Sequence, residues 1–150
     1  MLNKAIFKTG LLAGSLDIMA ACISAYIVNG VKPDRVLKYI ASGVFDEKAF
    51  SGKLGMMAWG LFFHFVIAFA CTAIFFILYP KLKFLQRGIF LNSILIAVIA
   101  WLVTNLVIIP LSHVPTPLFT VAGVVRAIAI LVLCIGLPIS WMTRRYYVNK

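Results

Sequence analysis

Acidic residues are scarce in this sequence of 150 residues, which has four Asp and Glu against fourteen Lys and Arg. Charged residues make up only 12%, and the mean hydropathy of +1.07 excludes an ordinary water-soluble domain. A soluble chain of this length has too much surface to hide so many apolar side chains. Three scattered cysteines, Cys22, Cys71 and Cys134, exclude a disulfide framework and a zinc site.

The sequence also lacks motifs that are typical of enzymes and of nucleic-acid-binding proteins. The sequence has no phosphate-cradling glycine loop, no nucleic-acid motif and no second intramembrane carboxylate for paired acid/base work. We therefore expect no cofactor, no metal and no nucleic-acid partner, and the residues favour a role other than that of an enzyme.

Four long apolar runs dominate the chain. They cover approximately residues 5–28, 54–79, 88–109 and 118–142. Each has the length of about 20 residues that a helix needs to cross a bilayer, and none alternates with the period of a strand. The sequence predicts an all-α bundle of four transmembrane helices that forms a single integral membrane domain over residues 1–150.

The basic residues predict the orientation of the bundle. Lys and Arg without acidic neighbours occupy the N terminus, the second loop and the C-terminal tail. The first loop mixes both signs, and the third loop, which contains Pro110, Pro115 and Pro117, has no Lys or Arg. By the positive-inside rule we expect both termini in the cytoplasm.

The first loop has a helical pattern of its own. Pro33 can occupy the first position of a helix, and apolar residues then recur at helical spacing, with basic residues on the other side. This pattern predicts a short amphipathic helix on the outer surface. The apolar positions are Val36, Leu37, Ile40 and Val44, and the basic ones are Lys32, Arg35 and Lys38.

Three ionisable residues fall inside the predicted spans. Counting helical rise puts Asp17, His64 and Arg126 at about 12, 14 and 12 Å from the outer edge of the membrane. Two interpretations remain open. Asp17 and Arg126 can pair as scaffolding with His64 bonded to one of them, or the three residues can line a polar cavity that binds a solute, an ion or a proton. Asn105, near the outer end of the third span, is a further candidate ligand-binding residue.

Small residues accompany these charges. The first span carries Gly10, Gly14 and Asp17 on one face, followed by Ala21 and Ser24, and the second span carries Gly60 on the His64 face. Stripes of small residues let helices approach closely, so Gly10, Gly14 and Gly60 are predicted packing positions. A homodimer built through the Gly10/Gly14 stripe is one expectation, and another membrane protein as partner is the alternative.

Four short motifs carry a family resemblance: GLLAGSLD at 10–17, IASG at 40–43, AFSG at 49–52 and GLFFH at 60–64. With these motifs, about the first half of the chain resembles a family of small bacterial membrane proteins with four predicted helices and no assigned activity. The resemblance implies that Asp17 and the 40–43 segment belong to a shared design, and it implies no activity.

These observations lead to two functional expectations. The first is a multi-pass membrane protein that binds or passes a small solute or ion at Asp17, His64 and Arg126. The second is a non-catalytic membrane subunit or assembly partner in which the buried charges only fix helix register. An intramembrane enzyme is the third and least supported class.

Overall fold

Helices account for nearly all of the computed structural model, which describes residues 1–52, 54–113 and 120–148. The described residues form six helices and no strand. They are α1 (Leu2–Asn29), α2 (Pro33–Phe45), α3 (Lys48–Ser51), α4 (Leu54–Leu78), α5 (Ile89–Leu111) and α6 (Val121–Val148). A 3₁₀ turn, Lys83–Gln86, connects α4 to α5.

The predicted all-α fold is confirmed. α1, α4, α5 and α6 are each long and apolar enough to cross a membrane, and α2 is the predicted helix of the first loop, with Pro33 at its first position. The boundaries differ most in the second half of the chain. α5 runs through Pro110 to Leu111, and α6 continues to Val148. Pro115 and Pro117 lie outside the described residues.

A glycine cap separates α1 from α2. Gly30 has the left-handed conformation (φ 64°), and its N–H donates to the carbonyl oxygen of Tyr26 at 2.9 Å. This bond is that of an αL cap, and the N–H of Val31 donates in addition to the carbonyl oxygen of Ala25. The chain therefore leaves α1 abruptly and begins α2 three residues later, at Pro33.

The long helices pack antiparallel around α1, which contacts both α4 and α6. α5 packs mainly on α6, and α2 packs mainly on α4. Stacked aromatic rings close the end that carries both termini. The ring centroids of Tyr147 and Tyr79 are 5.5 Å apart, and the hydroxyl of Tyr147 donates to the carbonyl oxygen of Phe76 at 2.9 Å. We call this the terminal end, and the opposite one the α2 end.

Large apolar side chains cover the outside of the bundle. Ile27, Ile74, Phe90 and Leu133 are all more than half exposed. In each of the four long helices, at most 22% of an apolar stretch of 18 residues is buried inside the chain. Water would solvate such a surface poorly, whereas hydrocarbon matches it. The four helices are therefore compatible with a multi-pass membrane protein.

Two π-helical segments interrupt the second pair of spans. They cover Thr104–Ile108 in α5 and Val132–Gly136 in α6, and each is followed two residues later by a proline, Pro110 or Pro138. Proline has no N–H and its ring clashes with the carbonyl group four residues earlier. The wider turn gives the freed backbone groups other partners, which a helix in hydrocarbon needs.

Hydroxyl groups inside the bundle mostly bond to their own helix. Thr9, Thr72 and Ser93 each donate to the carbonyl oxygen four residues earlier, at 2.7–2.8 Å. This bonding satisfies them without a partner on another helix. Within the described part of the chain, three buried side-chain oxygens lack a hydrogen-bond partner, and they belong to Asn92, Ser140 and Thr143.

Candidate functional site

A cleft of about 720 Å³ occupies the half of the bundle nearest the α2 end. Residues of α1, α4, α5 and α6 line it, together with residues of α2 at the end that we call its mouth. Apolar side chains make up most of the wall. The four candidate binding residues of the sequence, Asp17, His64, Asn105 and Arg126, all line this cleft although they come from four different helices.

Asp17 and His64 meet deep in the cleft. Nε2 of His64 lies 4.0 Å from Oδ2 of Asp17, and the two side chains are only 13% and 16% exposed for His64 and Asp17 respectively. The same nitrogen donates to the carbonyl oxygen of Gly14 at 2.9 Å. A proton must therefore reside on Nε2, because a carbonyl oxygen can only accept. The pair joins α1 to α4.

Arg126 does not pair with Asp17. Among the described residues, no ion pair or hydrogen bond holds its guanidinium group, and the side chain is exposed at the cleft wall. α6 begins at Val121, so helical rise puts Arg126 about 8 Å from the start of its helix. His64 lies about 15 Å from the start of α4 by the same measure. The expected common level thus holds for Asp17 and His64, and Arg126 lies nearer the mouth.

Asn105 lies on the π-helical segment of α5, beside Thr104 in the cleft wall. Its Nδ2 donates to the carbonyl oxygen of Trp101 at 2.9 Å, one turn earlier in the same helix. That bond uses one of the two N–H donors of the amide and turns the side chain back along α5. Pi-helical turns are frequent at functional sites because they redirect side chains from the regular helical pattern.

The stripe of small and polar residues on α1 has two parts with different neighbours. Gly10 faces the ring of Phe69, and a Cβ added at Gly14 would lie 2.8 Å from Cε1 of Phe65. These two glycines therefore pack against α4 of the same chain, which leaves any homodimer to other surfaces. Farther along the stripe, the cleft replaces the neighbouring helix, and the lining residues there are Asp17, Ala21 and Ser24.

Gly60 also mediates a close approach, but to α2. A Cβ at Gly60 would overlap the carbonyl group of Leu37, with the Leu37 carbonyl carbon 2.8 Å away. α2 is therefore packed directly on the backbone of α4. A comparable contact between Gly136 and the backbone of Ser93 joins α6 to α5.

α2 forms part of the site, and the sequence alone does not predict this. Tyr39, Ile40, Gly43 and Val44 line the mouth of the cleft. The carbonyl oxygen of Gly43 accepts the N–H of His113 at 3.5 Å, so α2 also reaches the end of α5. A signal was available in the apolar spacing of Ile40 and Val44, but that spacing does not distinguish a lipid surface from a cleft.

The site offers little for metal or nucleophilic chemistry. In the described ranges, no three His, Cys, Asp or Glu side chains lie close enough together to hold a metal ion. Cys71 lines the cleft on the Asp17 side. What the arrangement can do is bind: it combines one accessible cation, one acid–imidazole pair and a long apolar wall.

Comparison with known proteins finds no match to a family model, to a curated protein or to a solved structure.

Proposed function

We propose that this chain is a membrane protein that binds a small solute or ion, or passes it across the membrane, through the cleft lined by Asp17, His64 and Arg126. One observation carries the proposal: ionisable or amide side chains from four helices line a single cleft of about 720 Å³. Clefts of this size with few convergent polar groups are the usual form of a binding site. Ionisable groups at membrane depth are costly, and a function accounts for their presence.

The setting of the proposal is a bacterial cytoplasmic membrane with both termini in the cytoplasm. On that orientation the α2 end faces outward, and the cleft opens away from the cytoplasm. The distribution of Lys and Arg supports it. Single cysteines introduced at Lys4 and at Asp34, in a variant without the native cysteines, test it. An impermeant thiol reagent added to whole cells should label position 34 only, and labelling of position 4 only would reverse the orientation.

Reconstituted vesicles test passage. Protein in phosphatidylethanolamine–phosphatidylglycerol vesicles is given separate gradients of protons, sodium, chloride and inorganic phosphate. If the solute is an inorganic ion, at least one of these gradients should drive flux, and that flux should be lost in Asp17→Asn and in His64→Gln. Gly55→Ala is the matched control, since a Cβ there meets no atom within 4 Å. Flux that is the same in Asp17→Asn and in the unaltered chain would reject the role of Asp17 in passage.

The rate at which Cys71 is labelled measures binding in the cleft, even for a solute that does not cross the membrane. A small impermeant thiol reagent should label Cys71 in a Cys22→Ser, Cys134→Ser variant if the cleft is open to water. A bound solute should slow that labelling. No labelling at any reagent concentration would mean that the cleft is closed, and the proposal would fail.

One observation favours the second candidate, a non-catalytic membrane subunit. The Asp17–His64 pair and the bond of His64 to the Gly14 carbonyl oxygen join α1 to α4, which is what residues that fix helix register would do. On this alternative Asp17→Asn lowers the unfolding temperature, and neither labelling of Cys71 nor flux depends on any solute.

A further inference from the structure

The cleft has a charge and shape that narrow the class of its ligand. Arg126 is the charged side chain that a ligand can reach, because it is exposed and no described residue neutralises it. The Asp17 carboxylate is mostly buried and has His64 beside it at 4.0 Å. An approaching ligand therefore meets a cation on the wall, and an anionic group complements it. Arg also offers paired N–H donors that match carboxylate and phosphate oxygens.

Below Arg126 the same wall of α6 is apolar. The next lining residues of α6 are Ala127, Ile130, Leu131 and Ile135, which share one helix face. Helical rise from Arg126 to Ile135 is about 14 Å, nearly half of the hydrocarbon thickness of a bilayer. Ile67 and Ala68 of α4 line the cleft as well. A hydrated ion or a small polar solute would leave this part of the wall unused.

From this combination we infer that the ligand is an amphiphilic anion. Its single carboxylate or phosphate binds Arg126, and its hydrocarbon chain lies along the apolar wall toward Ile135. This inference rests on the proposed binding function and specifies the ligand. The volume of about 720 Å³ suits one hydrocarbon chain with a head group. Both a free amphiphile and a bilayer lipid have this chemistry.

Trp101 provides the readout, because it lines the cleft whereas Trp59 and Trp141 do not. The reporter variant carries Trp59→Phe and Trp141→Phe, so that all tryptophan fluorescence comes from Trp101. The protein is placed in lipid nanodiscs and titrated with 12-bromododecanoate, whose bromine quenches only at short range. We expect saturable quenching of Trp101. A Trp101→Phe variant that keeps the other two tryptophans measures quenching by amphiphile dissolved in the bilayer.

Competition tests the charge and the chain separately. Dodecanoate and dodecyl phosphate should displace the brominated probe, whereas dodecyltrimethylammonium, dodecanol and inorganic phosphate should not. Arg126→Gln should raise the apparent Kd about tenfold or more, the usual effect of losing a charge-assisted hydrogen bond. Arg126→Lys keeps the charge and should retain most of the affinity. Phosphatidylglycerol that is brominated on its acyl chains distinguishes a bilayer lipid from a free amphiphile. Saturable quenching of Trp101 by this lipid identifies a bilayer lipid as the ligand. If 12-bromododecanoate quenches Trp101 and the brominated lipid does not, the ligand is a free amphiphile.

The outcomes separate this inference from the proposed function. Equal displacement by the anionic, cationic and neutral chains, or an unchanged Kd in Arg126→Gln, would overturn the amphiphilic anion. Protection of Cys71 by an inorganic ion alone would also overturn it, while the proposed function would stand. If no probe quenches Trp101 saturably and none protects Cys71 from labelling, both the inferred ligand class and the proposed binding function are wrong.

Discussion

Nε2 of His64 donates a hydrogen bond to the carbonyl oxygen of Gly14 across 2.9 Å, which connects α4 to α1 at the depth of Asp17. The absence of a side chain at Gly14 permits this contact, because a Cβ there would lie 2.8 Å from the Phe65 ring and 3.1 Å from Ala68. The glycine that brings the two helices together thus also brings the imidazole to the backbone. Asp17, one turn farther along α1, is then 4.0 Å from the same nitrogen.

Double-mutant cycles should show which residue is coupled to Asp17. We expect Asp17→Asn and His64→Gln to be non-additive in unfolding free energy, by about 0.5–3 kcal/mol, because the two side chains are in contact. Asp17→Asn and Arg126→Gln should add to within about 0.5 kcal/mol, as unlinked sites do. Denaturant unfolding in detergent micelles measures both cycles. A larger coupling in the second cycle would restore the Asp17–Arg126 pair and refute the arrangement described above.

Gly60→Ala should separate α2 from α4. The added Cβ would overlap backbone atoms of Leu37, which cannot rotate away as a side chain can. Overpacking of this kind costs about 1–3 kcal/mol. The matched control on the same helix is Gly55→Ala, where a Cβ meets open space and alanine favours the helix by about 1 kcal/mol. Thermal unfolding should show a lower melting temperature for Gly60→Ala only; equal melting temperatures for the two variants would count against direct packing of α2 on α4.

Thr143→Val should leave the protein as stable as before, or more so. The hydroxyl of Thr143 is fully buried and has no hydrogen-bond partner, so its removal relieves a desolvation cost of about 1–3 kcal/mol. Thr72→Val is the control, since the Thr72 hydroxyl is equally buried but donates to the carbonyl oxygen of Ala68 at 2.8 Å. Comparison of the two unfolding temperatures decides the point. A clear loss of stability in Thr143→Val would show that this hydroxyl has a partner.

Tyr39 should make stability depend on pH at alkaline values. Burial at the mouth of the cleft raises the pKa of its phenol above the ordinary value of 10.0. The folded chain thus favours the neutral phenol. Its contribution is complete below the unfolded pKa near 10 and is lost as the pH rises through the folded pKa. Melting temperatures of the unaltered chain and of Tyr39→Phe should therefore diverge above about pH 10. A difference that stays constant from neutral to alkaline pH would contradict the shift.

Four polar residues that line the cleft could be named from the sequence. Asp17, His64, Arg126 and Asn105 were found because polar groups are rare in apolar spans and expensive there. Their relations could not be found in the same way. Arg126 was expected at the level of Asp17 because its span was taken to begin at 118, whereas α6 begins at Val121. An error of three residues in the start of a helix changes the counted depth of a side chain by about 4.5 Å.

The sequence by itself determined the four long helices and the helix of the first loop. In a membrane, a single apolar segment of this length is stable as a helix, because a helix satisfies its own backbone N–H and C=O groups without any neighbour. Only the tertiary structure decided that α4 covers Gly10 and Gly14 while Asp17 faces a cleft, that His64 is the partner of Asp17, and that α2 lies at the mouth. Those relations depend on how helices rotate and slide against one another, and apolar side chains permit many such arrangements. Close contacts at a few glycines select among them.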